Sequence, residues 1–408
     1  MDDRKRNVLI VGSGAVASSL ANKLYKDPLV NKIFVARGKD FDSAIYENVD
    51  IAEDDLTGLL MFVLENKIDL TIPVSQKSFK TDIVSFFQSN GQNIFGPVKR
   101  ACQIAINKIN AKKLLYKIHA KTSKFGIFDK IPAAIEYLET SAYPVVIQTT
   151  ENFSEQIVCP TIKLAAKYLT ESISFRSEND ILIEDYIYGH NFTVYFITDG
   201  YCAVPFSTVG NYKFSQDGDG GILTNGLGCY TPDYKIGNDV LSELKNVVEN
   251  TLKYLEKSGN SYSGILGLDC VLTKENDFYI NGFKPFLQDY DSDAVWITFE
   301  DDLLKIFDSC INGFFSDEYD EIKTNNLYSV SVCVQAKQPN VTVPFLNELE
   351  DINYINIKKS GENFVTTRDK QFVLTRFAKT LTRAKSLLQE DLEYITFDGM
   401  KYRKDVVK

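Results

Sequence analysis

Four short apolar runs punctuate the first hundred residues, with stretches of helical periodicity between them. Val8-Leu9-Ile10-Val11, Lys32-Ile33-Phe34-Val35, Asp69-Leu70-Thr71-Ile72-Pro73-Val74 and Asn93-Ile94-Phe95 read as strands. Strands that alternate with helices run parallel, because each crossover helix covers a sheet face and returns the chain to the same end. The chain therefore opens with a doubly wound parallel sheet. Gly12-Ser13-Gly14-Ala15-Val16-Ala17 joins its first strand to its first helix and fits the G-x-G-x-x-G/A pattern. Glycines permit the tight turn and bring backbone N–H groups close to a phosphate at the helix N-terminus. A dinucleotide site also needs an acid about 20 residues further on, for the ribose hydroxyl. The second strand ends Val35-Ala36-Arg37 instead. The NAD reading is poor, which leaves a phosphate loop or a plain turn.

Beyond residue 100 the pattern becomes α+β. A basic helix is expected from Ala101 to about His119, with Lys108, Lys112, Lys113 and Lys117 at helical spacing. The stretch 125–184 holds strands at Tyr143–Gln148, Gln156–Cys159 and Ile181–Glu184, with a helix near Lys163–Thr170. Antiparallel-type strands follow at Phe192–Thr198, Gly267–Leu272 and Asp277–Ile280, with helices at Val240–Ser258 and Asp301–Asn312. The last part, from Tyr328, alternates strands with a helix at Leu381–Glu393. Gly218–Gly228 is the most glycine-dense segment, and Asp289, Asp291 and Asp293 read as a solvated acidic turn. At 408 residues the chain is expected to fold as two to four units.

Composition narrows the function. A net charge of −10 disfavours a nucleic-acid or anionic-membrane partner, since either demands a basic face. The seven cysteines include no C-x-x-C pair and read as reduced core thiols. With only His119 and His190 present, a multi-histidine metal site is excluded. No signal core or membrane-length apolar run is evident, which points to the cytosol. The expected partner is a nucleotide or other small molecule.

In order along the chain, the motifs resemble those of glycinamide ribonucleotide synthetase, also called phosphoribosylamine–glycine ligase. Val8-Leu-Ile-Val-Gly12-Ser-Gly14 resembles that family's opening strand and glycine loop. Lys67–Ile72 and Ile94-Phe-Gly-Pro97 resemble its later N-domain strands. Ile183-Glu-Asp-Tyr-Ile187 is similar to its Ile-Glu-Glu-Phe-Leu adenine hinge, and Tyr262-Ser-Gly-Ile-Leu266 to its Tyr-Thr-Gly-Phe-Leu. Tyr402-Arg-Lys-Asp405 is similar to its closing Tyr-Arg-Lys-Asp. The resemblance implies an ATP-grasp fold with four parts: an N-terminal Rossmann-like domain (1–100), a central domain (101–122 and 185–322), a lid (123–184) and a C-terminal α/β domain (323–408). It also implies ATP and Mg²⁺, used to convert the glycine carboxylate to an acyl phosphate that the amine of phosphoribosylamine attacks. Lys108, Glu184, Asp185, Tyr186 and Asn191 fall at ATP-binding positions. Gly12, Gly14, Lys213, Asp219, Gly226 and Gly228 fall at substrate positions, and Asp269 and Asn281 at metal positions.

Several positions depart from the family's pattern. Its glycine loop continues Gly-Arg-Glu-His, where this chain has Ala15, Val16, Ala17 and Ser18. Its second phosphate lysine is Gln148 here, and its glycine-rich flap is Thr149–Glu155, which contains two acids and no glycine. Each carboxylate at about 4 Å from a triphosphate costs roughly 1 to 4 kcal/mol, depending on the dielectric. The metal strand reads Tyr279-Ile-Asn281-Gly-Phe283 against the family's Val-Ile-Glu-Phe-Asn. These losses weigh against both ATP and Mg²⁺. The expectation is therefore a catalytically impaired relative kept for binding or regulation, the alternative being an active ADP-forming carboxylate–amine ligase.

Overall fold

The computed structural model describes residues 4–37, 43–149, 156–173, 180–367 and 369–407. Strands β1 (Arg6–Val11), β2 (Val30–Ala36), β3 (Glu47–Val49) and β4 (Leu70–Pro73) form a sheet of order β3-β2-β1-β4, parallel throughout. The expected fourth run contributes only a bridge between Ile94 and Thr71. Val8, Ile10 and Leu20 are fully buried on one face of this sheet, Leu9, Val11 and Leu59 on the other.

A second, antiparallel sheet comprises β5 (Phe125–Phe128), β6 (Val145–Thr149), β7 (Ile157–Cys159) and β8 (Ile181–Asp185), in the order β5-β8-β6-β7. It has its own small core around Leu138, Val145, Ile147 and Ile183.

The central body is a nine-stranded sheet. Its strands are β9 (His190–Thr198), β10 (Ala203–Gln216), β11 (Gly220–Thr231), β12 (Gly264–Leu272), β13 (Phe278–Lys284) and β14 (Tyr328–Ala336), joined by β16 (Ile352–Tyr354), β19 (Asp369–Ala378) and β20 (Met400–Lys401). The order is β13-β12-β9-β10-β11-β14-β19-β16, with β20 on β14. A three-stranded sheet of β15 (Thr342–Val343), β17 (Lys358–Ser360) and β18 (Asn363–Val365) lies beside it. The C-terminal strands thus continue the central sheet, with β11 pairing β14 through Gly228–Val332 and Tyr230–Val330. The expected α/β plus α+β architecture is present.

Two expectations are corrected. The basic helix is two helices, Lys99–Ile106 and Lys108–Lys117, broken at Asn107. Asn107 is extended (φ −134°, ψ 110°), and its side chain accepts the N–H of Asn110, a helix N-cap that restarts the helix at Lys108. The acidic trio is not a solvated turn. Asp291 and Asp293 are 0% and 6% exposed, because the helix Ser292–Thr298 packs Ala294, Val295 and Trp296 into the main core and draws both acids inward. The seven cysteines are free thiols, six of them buried. Among the described residues no helix is long and apolar enough to cross a membrane.

Candidate functional site

Where the N-terminal parallel sheet, the β5–β8 sheet and the central sheet meet they enclose a cleft of about 380 Å³, within the usual range for small-molecule sites. Its walls come from the glycine loop, the helix Lys108–Lys117, the end of β8, β10 and the β12–β13 hairpin. At one end stands the strand β8. The Glu184 carboxylate is fully buried and accepts from Lys112 Nζ (2.6 Å) and Ser123 Oγ (2.9 Å), with Lys108 Nζ 3.8 Å away. Burial alone would raise the Glu184 carboxyl, but Lys112 and Lys108 hold it below the ordinary carboxylate range. Burial pulls Lys112 down to about 8 against the attraction of Glu184. Lys112 also donates to Thr122 Oγ1 (2.7 Å) and Ser123 Oγ (2.9 Å), which completes its hydrogen bonds. Of the expected nucleotide residues, Lys108, Glu184, Asp185, Tyr186 and Asn191 all line this cleft. The Glu184 oxygens, however, face lysines of the chain itself.

The opposite wall carries the decisive charge arrangement. Asp269, on β12, accepts from Lys213 Nζ at 2.5 Å, and Lys284 Nζ lies 3.6 Å from the same oxygen. Burial would raise this carboxyl, but Lys213, Lys284 and Lys108 together hold it down at about 2. Lys284 also donates to Thr193 Oγ1 (2.8 Å) and Tyr290 Oη (2.9 Å), and burial pulls its own pKa down. The β12–β13 register shifts between Asp269 and Cys270, so that Gly282 pairs with Asp269 and Ile280 with Cys270. Asn281 is the extra residue of this β-bulge, in which two residues oppose one. Asn281 lines the cleft, but a Cβ at Gly282 would point to Lys108, 3.8 Å from its Nζ.

Mg²⁺ requires near-octahedral oxygen ligation at short range. Here the one acid on the β12–β13 wall already holds two ammonium groups, and Asn281 adds only a neutral amide. Among the described residues no group of three or more acids, histidines or cysteines is placed to hold a metal. The β12–β13 wall thus presents one ion-paired acid, Asp269, and one neutral amide, Asn281.

At the glycine loop the N–H of Val16 donates to Asp289 Oδ1 at 3.0 Å. A Cβ at Gly14, where φ is +78°, would lie 2.7 Å from that oxygen, so glycine is what allows Asp289 to approach. Gly12 is closed in on its other side, where a Cβ would meet Val74 Cγ2 at 2.5 Å. The chain's own carboxylate thus takes a donor at the helix N-terminus, where an anionic ligand would bind.

The remaining expected positions divide. Lys213 lines the cleft. Asp219, Gly226 and Gly228 are not among its lining residues: Asp219 accepts from Arg403 Nη2 (3.0 Å), Gly226 abuts the Tyr290 ring and Gly228 abuts Val406. The Thr149–Glu155 flap lies, from residue 150 on, outside the described residues. Gln148, in place of the second phosphate lysine, does line the cleft. Sequence reasoning missed Lys284 and the placement of Asp289. The one-residue bulge hid the first. The second comes from a contact between residues far apart in the chain.

Comparison with known proteins agrees with this architecture. The family model "Phosphoribosylglycinamide synthetase, N domain" matches residues 6–105, and "Phosphoribosylglycinamide synthetase, ATP-grasp (A) domain" matches 106–289. A phosphoribosylamine–glycine ligase of Caldanaerobacter subterraneus is 27% identical over 419 residues, covering 98% of this chain and 99% of the relative. One from Halalkalibacterium halodurans is 26% identical over 416 residues, covering 98% and 96%. Among solved structures, phosphoribosylamine–glycine ligase from Thermotoga maritima superposes with a TM-score of 0.81 at 19% identity, covering 98% of this chain and 99% of that one. The biotin carboxylase domain of Hydrogenobacter thermophilus 2-oxoglutarate carboxylase, in complex with MgADP, gives a TM-score of 0.71 at 14% identity, covering 97% and 91%, a likeness of fold. With both family domains matched across more than half its length, the chain belongs to the phosphoribosylglycinamide synthetase family of ATP-grasp proteins.

Proposed function

We propose that this member of the purine-biosynthesis ATP-grasp ligases keeps its cleft as a nucleotide-binding site and no longer forms glycinamide ribonucleotide, serving a binding or regulatory role. The observation that carries this reading is the Asp289 carboxylate on the Val16 N–H. An anionic substrate group brought to that helix N-terminus meets a fixed negative charge instead of a vacant donor. Two replacements support it: the metal strand offers no acid beside Asp269, and Gln148 stands where a cation would draw charge from a transferring phosphoryl group. In this reading 123–184 is the lid over a central domain of 101–122 and 185–322, flanked by 1–100 and 323–408.

An active ligase is the second reading. It is favoured by the match along nearly the whole chain and by Lys108, which stands in the cleft at 3.8 Å from Glu184. The two separate in one assay. Purified protein with glycine, phosphoribosylamine and Mg-ATP is expected to release ADP no faster than the control without amine. Steady formation of glycinamide ribonucleotide would establish the active ligase instead.

A further inference from the structure

The lysines around Asp269 carry a consequence beyond the loss of a metal site. Lys108, Lys112, Lys213 and Lys284 all belong to the cleft or its wall, facing two buried carboxylates, Glu184 and Asp269. Lys112 is committed to Glu184 and its neighbouring hydroxyls, and Lys213 sits on Asp269 at 2.5 Å. That leaves Lys108 and Lys284 in excess. The Lys108 contact with Glu184, at 3.8 Å, is too long for a direct hydrogen bond. Lys284 donates to two hydroxyls, Thr193 Oγ1 and Tyr290 Oη, and lies 3.6 Å from Asp269. The other acids near the cleft are Asp289, held by the Val16 N–H, Asp185 at the rim, and Asp291, which accepts from Tyr195 Oη (2.7 Å) and the Gln288 N–H (2.8 Å). Val146, Ile187, Phe214 and Val271 give the same cleft an apolar wall suited to a flat base.

We propose that the cleft binds the phosphates of a nucleoside di- or triphosphate without a divalent cation, with Lys284 and Lys108 supplying the positive charge that bound metal ions supply in MgADP complexes. The strand register favours this assignment. Gly282 pairs with Asp269 and brings no ligand, and Lys284 follows two residues later, the spacing at which side chains return to one face. A divalent ion seated on Asp269 would lie against the two ammonium groups already there and be repelled by both. A phosphate would instead draw on them and on Lys108, as charge-assisted hydrogen bonds.

This inference rests on the nucleotide-cleft reading above, and titration calorimetry with ADP and ATP, in EDTA and in excess Mg²⁺, separates the two. Affinity in EDTA is expected to equal or exceed that in Mg²⁺. Lys284→Met should weaken ADP binding in EDTA by about tenfold or more. The double variant Gly282→Glu/Lys284→Asn should lose affinity in EDTA and regain it on adding Mg²⁺. Position 282 accepts a side chain, since a Cβ there meets nothing closer than 3.6 Å and its φ is not positive. Binding of the unaltered protein only in Mg²⁺ would overturn the metal-free site and leave the nucleotide cleft standing. Binding under neither condition would overturn both. The wild-type comparison decides the matter even if a variant fails to fold.

Discussion

At Asp293 a carboxyl group is buried beside Thr375 and Asn353, and one of its oxygens, Oδ2, has no hydrogen-bond partner. Burial raises its pKa to about 6, from an unfolded-state value near 4. A raised folded-state pKa stabilises the native state fully below the unfolded value, and that contribution is lost as pH climbs through the folded one. The window therefore runs from about pH 4 to about pH 6, and the penalty above it is on the order of 3 kcal/mol. Asp269 has the opposite sign: held at about 2, its contribution is present above the unfolded pKa and is lost as pH falls from there through the folded value. Asp293→Asn should thus raise the melting temperature most at about pH 7.5, with the gain shrinking steadily between about pH 6 and 4. Thermal melts across that range check it, and a gain independent of pH would mean that the carboxyl is not the cause. None of this was legible in the sequence, where three aspartates in five residues look like a solvated loop. What buries Asp291 and Asp293 is the apolar run Ala294-Val295-Trp296 that follows.

The strands were largely legible at the scale of elements, because their buried runs are apolar and continuous; β1, β2 and β4 each lie within two residues of the reading. Breaks and bulges were not. One capping asparagine splits the basic helix, and one extra residue in β13 moves the side chains that follow it relative to Asp269. The closing Tyr402-Arg-Lys-Asp405 motif also acquires a physical role at this scale. Arg403 is 1% exposed; it donates to Asp219 (3.0 Å), to Asp405 (2.8 and 2.7 Å) and to the Phe214 carbonyl (2.7 Å), and it lies over the Tyr212 ring. It therefore pins the turn between β10 and β11. Arg403→Met should cost roughly 2 to 3 kcal/mol, discounted for the partly exposed aspartates, and open residues 217–220 to proteolysis. Urea unfolding and limited digestion measure both, and an unchanged digestion pattern would remove the hairpin from the role given to Arg403.

For the whole molecule, one core binds distant parts of the chain together. Val8 and Leu20 of the N-terminal layer share it with Tyr195 and Ile197 of the central sheet and with Trp296 and Phe307 beyond, and the Phe95 and Phe307 rings stack at 3.9 Å. The sheet β5–β8 has a separate and smaller core. Hydrogen exchange should therefore find amides of β5–β8 opening locally, while those of β1, β9 and β12 exchange only with global unfolding, which the single, buried Trp296 reports by fluorescence. Equal protection in both sets would join them into one cooperative unit. The overall architecture could be read from the motifs in order, whereas the charge pairing inside the cleft needed the register of two strands and a contact spanning 273 residues.

The unbroken ladder from β11 into β14 has a further consequence. Removing the chain from β14 onward would leave β11 paired only with β10 and expose a raw row of N–H and C=O groups on its other edge, an invitation to misassembly. The carboxy-terminal segment is accordingly no detachable module. It is the outer part of a single blanket of backbone hydrogen bonds, and any gene rearrangement that trimmed it would unravel the sheet that walls the cleft.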